Sequence, residues 1–202
     1  SGVTASAIAM NKIYFKRLVI NATENSNDPI NFPKTLEILP DRSIDFKNHC
    51  GAFVVKPTNG GSSVGVEIFK EGNQVPIINS ATSYNLMAEE YVGSKELTVT
   101  VLQEQPLCVT EIKAGQDKDF YNYEAKYEKN GSIHDIPAKI SNNTYNQAMS
   151  WALRVHQIIG CKGISRSDFR YDDKNDKLYM LEINTQPGMT ETSLSPEQAM
   201  FC

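Results

Sequence analysis

The sequence lacks any apolar run close to the roughly 20 residues that a membrane-spanning helix requires. It also lacks a large excess of either charge, because its formal net charge is −4 at pH 7. That balance argues against broad binding of nucleic acid, although a local basic pocket for a nucleotide remains possible. What is present, 40% hydrophobic and 22% charged residues over 202 positions, is typical of a soluble globular protein.

Cysteine is scarce as well. The four cysteines show no C-x-x-C spacing and no zinc-like pairing with the three histidines. Scattered cysteines of this kind indicate free thiols in a reducing compartment, so we expect a cytoplasmic protein. The positions concerned are Cys50, Cys108, Cys161 and Cys202.

Three segments carry helical patterns. Residues 4–20 place apolar side chains at helical spacing, and residues 145–159 form an amphipathic pattern that Gly160 ends. Near the end of the chain, Ser195 and Gln198 match a capping box, which predicts that a helix begins there. The chain starts inside a helical pattern and stops inside another, so we expect both ends to continue in a longer protein.

Short apolar or alternating runs predict strands at residues 52–56, 64–69, 86–92 and 96–103. Strands outnumber helices and hairpins mix with helices, which favours an α+β fold over a doubly wound sheet. We place a boundary near Ala88. Residues 1–88 would form a smaller unit, a helix with strands around a glycine loop, and residues 89–202 a larger one.

The most informative polar residues lie in two strand-like runs between residues 163 and 189. Alternate side chains of a strand share a face, so Arg166 and Asp168 point one way, as do Glu182 and Asn184. If the two strands pair, three oxygen donors meet, which is the ligand set expected for magnesium shared with phosphates. A structural ion pair between the arginine and the aspartate is the alternative, which would leave the other two residues unexplained.

A glycine loop at residues 57–65 follows Lys56, which ends a predicted strand. Glycines let backbone N–H groups approach a polyphosphate closely, and Ser62 and Ser63 add donors. It is not a Walker A loop, because the lysine precedes the glycines. A flexible turn is the alternative, and the lysine favours phosphate binding.

Together these blocks resemble the ATP-grasp superfamily and, within it, the D-alanine–D-alanine ligases. The blocks at 123–127 (YEAKY) and 182–189 (EINTQPGM) are the most specific to the ligases. The other matching blocks are residues 9–12, 55–57, 89–92, 96–99, 120–122, 160–163 and 166–168. The resemblance implies an ATP-grasp fold with two α+β subdomains and the nucleotide between them.

The resemblance also implies a site for ATP. Lysines would hold the phosphates, a hinge at residues 89–92 would meet adenine through its backbone, and Glu96 would bind the ribose. Lys126 would bridge a phosphate and a substrate carboxylate. The implied ATP-binding residues are Lys12, Lys56, Ser62, Ser63, Glu89, Glu90, Tyr91, Val92, Glu96, Phe120 and Lys126.

For catalysis the resemblance implies that Asp168, Glu182 and Asn184 ligate two magnesium ions, for which manganese could substitute. Arg166 and the Gly188 N–H would stabilise an oxyanion. The remaining implied residues are Tyr127 with Ser62, which close the site, and Ser193 with Leu194, which contact the second substrate's carboxylate.

The implied activity is ATP-dependent ligation of two D-alanines through an acyl phosphate, for peptidoglycan synthesis. A D-alanine–D-lactate ligase, another ATP-grasp ligase of a carboxylate and an amine, and a nucleotide-binding remnant without catalysis remain alternatives. The relatives also carry an N-terminal domain and a complete C-terminal helix, which we expect this chain to lack. Homodimers are common in the family, and no membrane or nucleic-acid partner is expected.

Overall fold

The computed structural model contains two antiparallel sheets, one of which carries helices. It describes residues 1–39, 44, 51–61, 64–69, 85–114 and 132–202. Strands and helices in mixed order confirm the predicted α+β class. Within the described ranges, no helix is long and apolar enough to cross a membrane.

The first sheet is built from β1 (Thr35–Leu36), β2 (Phe53–Pro57), β3 (Glu67–Phe69) and β4 (Leu86–Glu90). Its spatial order is β1-β4-β2-β3, and every neighbouring pair is antiparallel. β2 and β4 confirm two predicted strands. β3 is shorter than the predicted run 64–69, because Val64 and Gly65 form a turn. A small apolar core, in which Phe53 stacks on Phe69 with ring centroids 4.7 Å apart, holds this sheet together.

The second sheet is larger. It contains β5 (Lys95–Leu102), β6 (Gln105–Ala114), β7 (Ser132–Asp135), β8 (Ile164–Asp172) and β9 (Lys177–Asn184). Its order is β7-β6-β5-β8-β9, again with antiparallel pairs throughout. β8 therefore lies between β5 and β9, and its side chains can meet those of both neighbours.

Four helices are found in the described residues: α1 (Val3–Met10), α2 (Lys12–Thr23), α3 (Asn142–Ile158) and α4 (Leu194–Phe201). The first three bury side chains in the core of the second sheet, where Phe15, Trp151 and Phe169 are fully buried. α1 and α2 thus pack on the second sheet. The division of the chain at residue 88 stays a prediction.

The single helix predicted over residues 4–20 is wrong, because the chain breaks at Asn11 into α1 and α2. Asn11 is extended, with φ −98° and ψ 102°, and its side chain accepts hydrogen bonds from the N–H groups of Ile13 and Tyr14. It also forms a bridge with Asn59 of the glycine loop. The helical periodicity continues through the break, so a periodicity argument could not detect it.

The starts of the other two helices also differ from the prediction. α3 begins three residues earlier than expected, since the Ser141 side chain accepts from the Thr144 N–H and caps it. The capping box predicted at Ser195 and Gln198 is wrong. α4 begins at Leu194 with Ser193 in the cap position.

A tight linker joins the two sheets between β4 and β5. Gly93 adopts φ +66°, and a Cβ placed on it would lie 2.7 Å from the carbonyl carbon of Tyr171. The Ser94 N–H donates to the Tyr171 oxygen over 3.1 Å. Backbone contact with β8 therefore fixes the linker, and this contact requires glycine.

We expect Gly93→Ala to lower the free energy of unfolding by about 3 kcal/mol, because backbone strain adds to a clash with backbone. Gly160→Ala is the matched control: its φ is +72°, and a Cβ there meets nothing within 4 Å. The control should lose only about 1 kcal/mol, the cost of the left-handed conformation alone. Denaturant titration measures both, and equal losses would contradict the proposed close contact.

Candidate active site

Two adjoining clefts are lined by residues of both sheets. The first cleft, of about 940 Å³, is lined by the linker and by residues such as Val54 of β2 and Leu181 of β9. The second cleft, of about 1530 Å³, extends along β8 and β9 to α1 and the start of α4. Residues lining both clefts are Gly60, Gly61, Glu96, Asp168 and Glu182. A ligand spanning the two clefts would pass these residues.

The predicted pairing of the two polar strands is confirmed. β8 and β9 are antiparallel, with Asp168 opposite Glu182 and Arg166 opposite Asn184. The register shifts directly after Asp168, so the regular ladder is interrupted beside the polar residues and resumes at Phe169. The four polar residues predicted to meet therefore occupy facing positions. Asp168 and Glu182 line both clefts, and Arg166 and Asn184 line the second.

Arg166 and Asp168 form a two-pronged ion pair, with Nε 2.9 Å from Oδ1 and Nη2 2.8 Å from Oδ2. The ion pair considered as an alternative from the sequence is thus present. Thr98 of β5 adds a hydrogen bond, since its hydroxyl donates to Oδ1 over 2.7 Å. A residue of its own strand and one of the neighbouring β5 therefore hold the aspartate carboxylate in place.

The donor set fits a hard divalent cation in its chemistry. It offers two carboxylates and one amide oxygen, and Asn184 Oδ1 is oriented by the Gln186 N–H at 2.9 Å. Among the residues that the structure describes, no group of three or more His, Cys, Asp or Glu side chains could hold a metal. Two carboxylates and one amide are nevertheless compatible with Mg²⁺, which commonly completes its coordination with water and phosphate oxygens.

The break between α1 and α2 places Lys12 in the first cleft. Its backbone N–H donates to the Thr58 oxygen over 2.9 Å, and Nζ donates to the Gly60 oxygen over 2.7 Å. The same Nζ lies 3.3 Å from Glu182 Oε2. The Lys12 ammonium group therefore lies between the glycine loop and Glu182, and its role in phosphate binding stays a prediction.

Lys56 is held at the other side of the first cleft by a buried ion cluster. Glu89 Oε2 lies 2.6 Å from Lys56 Nζ, and Oε1 lies 2.7 Å from Lys16 Nζ. Lys16 also donates to the Pro33 carbonyl oxygen and, over 2.7 Å, to Thr35 Oγ1. One carboxylate thus forms ion pairs with two largely buried ammonium groups.

Burial of Glu89 acts most strongly on its pKa and would raise it, but the charges of Lys56 and Lys16 outweigh burial and hold the pKa below its ordinary 4.5. Burial is also the largest influence on Lys16 and lowers its pKa below 10.5. The carboxylate is therefore ionised at neutral pH, and the charge of Lys56 is partly balanced before any ligand binds.

The predicted hinge is the linker that joins the sheets, and it borders the first cleft. The Glu90 N–H donates to the Lys34 oxygen over 3.0 Å, and the Tyr91 N–H donates to the Ala52 oxygen over 2.9 Å. Arg170 of β8 reaches the linker from the other side. Protein groups therefore fix this backbone on both sides.

At the far end of the second cleft, Gly188 lies against Ser193. A Cβ on Gly188 would come within 2.8 Å of Ser193 Oγ, so only glycine fits there without movement. Ser193 Oγ accepts from the Thr190 N–H over 3.1 Å, which fixes the turn that leads into α4. The turn brings Ser193 and Leu194 to the cleft wall, where the sequence predicted a substrate contact.

α4 is anchored to the second sheet by buried hydrogen bonds. Gln198 is fully buried, accepts from the Thr100 N–H over 2.8 Å and donates to the Thr98 oxygen over 3.1 Å. Ser195 Oγ lies 2.9 Å from Thr100 Oγ1. The two residues predicted to cap the helix therefore bind β5 instead, at its irregularity between Val99 and Val101.

Some predicted residues lie outside the described part of the chain, and their roles stay predictions: Ser62, Ser63, Phe120, Lys126 and Tyr127. Other residues at the site were not predicted: Lys16, Thr98, Arg170 and Gln198. A signal existed for Lys16, since it lies one helical turn after Lys12 and shares its face. For Thr98, the alternation of side chains along β5 indicates only which face of the sheet it lies on. Placing it beside Asp168 also requires the register of β5 with β8.

Comparison with known proteins gives one family. The sequence profile described as "D-ala D-ala ligase C-terminus" matches residues 47–200. The D-alanine–D-alanine ligase of Caulobacter vibrioides is 45% identical, over 98% of this chain and 62% of that protein. That of Acidiphilium cryptum is 43% identical, over 100% of this chain and 65% of that protein.

Among solved structures, D-alanyl-alanine synthetase A from Vibrio cholerae is 27% identical with a TM-score of 0.79, covering 99% of this chain and 62% of that one. The chain spans less than two thirds of the length of each of these relatives. The ligase activity named for these relatives is therefore a property of those longer proteins, and for this chain it is a proposal.

Glu89→Gln should lower the free energy of unfolding by about 3 kcal/mol at neutral pH, because two buried lysines lose their counter-charge. A carboxylate with a lowered pKa contributes fully to folding stability above its pKa in the unfolded chain. That contribution is lost as the pH falls through its pKa in the folded protein. The difference from wild type should therefore shrink below pH 4.5. Denaturant titration across pH tests this, with the exposed Glu24→Gln as control; a difference independent of pH would contradict it.

Gln198→Met should cost about 2 kcal/mol, because the Thr100 N–H is left buried without its acceptor. Hydrogen exchange should show faster exchange in residues 194–201 and unchanged exchange in α3. Gln147→Met is the control, since its amide donates to Asp28 Oδ1 at the partly buried surface of α3. Unchanged exchange in α4 would show that Gln198 does not anchor it.

Proposed function

Because the chain belongs to the D-alanine–D-alanine ligase family and has the ATP-grasp fold of its relatives, we propose that it binds ATP and magnesium and takes part in joining two D-alanines. The register of β8 with β9 is the observation that carries this proposal. Asp168 and Glu182, which line both clefts, face each other in this register, and Arg166 faces Asn184 on the second cleft. Such an arrangement would suit a phosphoryl group passing from one ligand to another.

The first cleft would hold the nucleotide. Lys12 and Lys56 lie where they could meet phosphates as point charges, and Gly60 and Gly61 bring backbone close to the same region. Glu96, at the start of β5, would accept hydrogen bonds from the ribose hydroxyls. Ser62, Ser63, Phe120 and Lys126 are proposed as further ATP contacts on the family resemblance.

The base would lie beside residues 89–93, which form the end of β4 and the first part of the linker. The N–H groups of Glu90 and Tyr91 already donate to protein carbonyls. We therefore assign the contact with the base to other groups of Glu89, Glu90, Tyr91 and Val92, with apolar walls from Val54 and Leu181.

Magnesium would be held by Asp168, Glu182 and Asn184. When bound, it would neutralise charge on the transferred phosphoryl group. Because Arg166 already pairs with Asp168, the arginine would be positioned by the same carboxylate, and it would turn part of its charge towards the reacting oxygens.

In the proposed reaction, a carboxylate oxygen of the first D-alanine attacks the terminal phosphorus of ATP, and ADP leaves. The amine of the second D-alanine then attacks the acyl carbon of the acyl phosphate and loses a proton, and phosphate leaves. After the amine attacks and before phosphate leaves, the acyl carbon is tetrahedral and carries an oxyanion. Arg166 and the Gly188 N–H would stabilise this oxyanion. Ser193 and Leu194 would hold the second carboxylate, and Tyr127 with Ser62 would close the site.

We also propose that the protein works in the cytoplasm, where ATP is available, and contributes to peptidoglycan synthesis. A homodimer of the full-length protein is proposed on the family resemblance.

The test is phosphate release from ATP and magnesium with and without D-alanine, using the chain and any longer reading frame that contains it. We expect release to depend on D-alanine and to fall about 10²-fold or more in Arg166→Ala, as for loss of one oxyanion-stabilising donor. Arg154→Ala, at an ion pair outside both clefts, is the control.

Identification of the product separates the possible acceptors, because a D-lactate acceptor gives an ester and D-alanine gives a dipeptide. Release that does not depend on D-alanine in either form of the protein would overturn the proposed ligation. That result would not bear on ATP binding, which is measured separately.

A further inference from the structure

Arg170 of β8 binds the linker between the sheets, although nothing in the proposed reaction assigns it a role. It lies two residues after Asp168, across the register shift, and lines the first cleft. Its Nε donates to the Val92 oxygen over 3.2 Å, and Nη2 donates to the Gly93 oxygen over 2.7 Å. One guanidinium therefore binds two successive linker carbonyls.

The same side chain orients the aromatic ring of the linker. Nη2 lies 2.9 Å from the Tyr91 hydroxyl oxygen, and the guanidinium carbon lies 5.0 Å from the ring centroid. The Tyr91 side chain borders the first cleft and remains 37% exposed. Because guanidinium is planar and donates in a fixed fork, it restricts both backbone and ring more than an ammonium group could.

β8 thereby connects the two ends of the first cleft. At one end it carries Asp168, and at the other Arg170 binds the linker while the Tyr171 backbone contacts Gly93. A rigid strand fixes the spacing between these ends, since its rise is about 3.3 Å per residue. Within the described residues, the carboxylate nearest to Arg170 is more distant than the linker carbonyls: Glu96 Oε2 lies 3.8 Å from Nη1. The linker is therefore the main partner of this side chain.

We propose that Arg170 is a positioning residue for the nucleotide base: it holds residues 91–93 in the conformation that receives the base. The inference rests on the proposed function, because it takes the ligand of the first cleft to be ATP. It predicts that Arg170 matters for the base end of the nucleotide and not for the phosphate end, where Lys12 and Lys56 lie.

The experiment measures the Kd of ATP for the chain by calorimetry in the presence of magnesium. Arg170→Met should raise the Kd about tenfold, since bonds from a charged donor to the linker are lost. Inorganic tripolyphosphate, which has no base, should compete for the phosphate end equally well in wild type and variant.

Two further variants separate positioning from charge and from stability. Arg170→Lys keeps the charge but lacks the planar fork of donors and the flat face that lies over the Tyr91 ring, so it should restore only part of the affinity. Arg154→Met is the matched control, because Arg154 also ties a loop to the second-sheet core, through the Asp28 carbonyl oxygen at 2.6 Å, and does not line the first cleft. Its ATP affinity should equal that of wild type.

The outcomes distinguish this inference from the proposed function. Wild-type chain that binds no ATP would overturn the nucleotide assignment and the inference with it. Wild type that binds ATP with Arg170→Met unchanged would overturn the inference alone. Full rescue by lysine, an equal loss for tripolyphosphate, or the same loss in Arg154→Met would also overturn it, because each assigns the effect to charge or to general stability.

Discussion

The pairing of β8 with its two neighbours is the constraint on which the candidate site depends. Pairing with β9 puts Arg166 and Asp168 opposite Asn184 and Glu182. Pairing with β5 brings the Thr98 hydroxyl within 2.7 Å of the aspartate. Since backbone hydrogen bonds set this register, a slip of one residue would turn every one of these side chains to the other face of the sheet. The geometry of the site is thus a consequence of the sheet.

The buried charges of the first cleft link the stability of the fold to the proposed phosphate site. Lys56 would be costly to bury alone, and Glu89 offsets that cost while Lys16 completes the cluster. The cluster keeps an ammonium group on the cleft wall without a ligand present. Replacing the cluster with apolar residues would remove the desolvation cost, but it would also remove the Lys56 ammonium group that we propose binds phosphate.

The start of α4 shows where inference from sequence fails for a physical reason. Ser195 and Gln198 have the spacing of a capping box, yet both side chains face β5. The irregularity of β5 leaves the Thr100 N–H directed at the helix, and a buried N–H needs an acceptor more than a helix end exposed to water needs a cap. Only the packed arrangement of strand and helix shows which demand prevails.

The α+β class and the strands that carry the polar residues could be inferred from the amino-acid sequence. So could the shared face of Arg166 with Asp168 and of Glu182 with Asn184, whereas their meeting depended on the pairing of β8 with β9. Alternation along a strand is a local property, and family motifs are readable without coordinates. Tertiary structure alone decided the break at Asn11, the ion cluster around Glu89, the anchoring of α4 and the contact of Arg170 with the linker. Each of these joins residues distant in the chain, and their energies depend on which polar groups burial leaves in need of a partner.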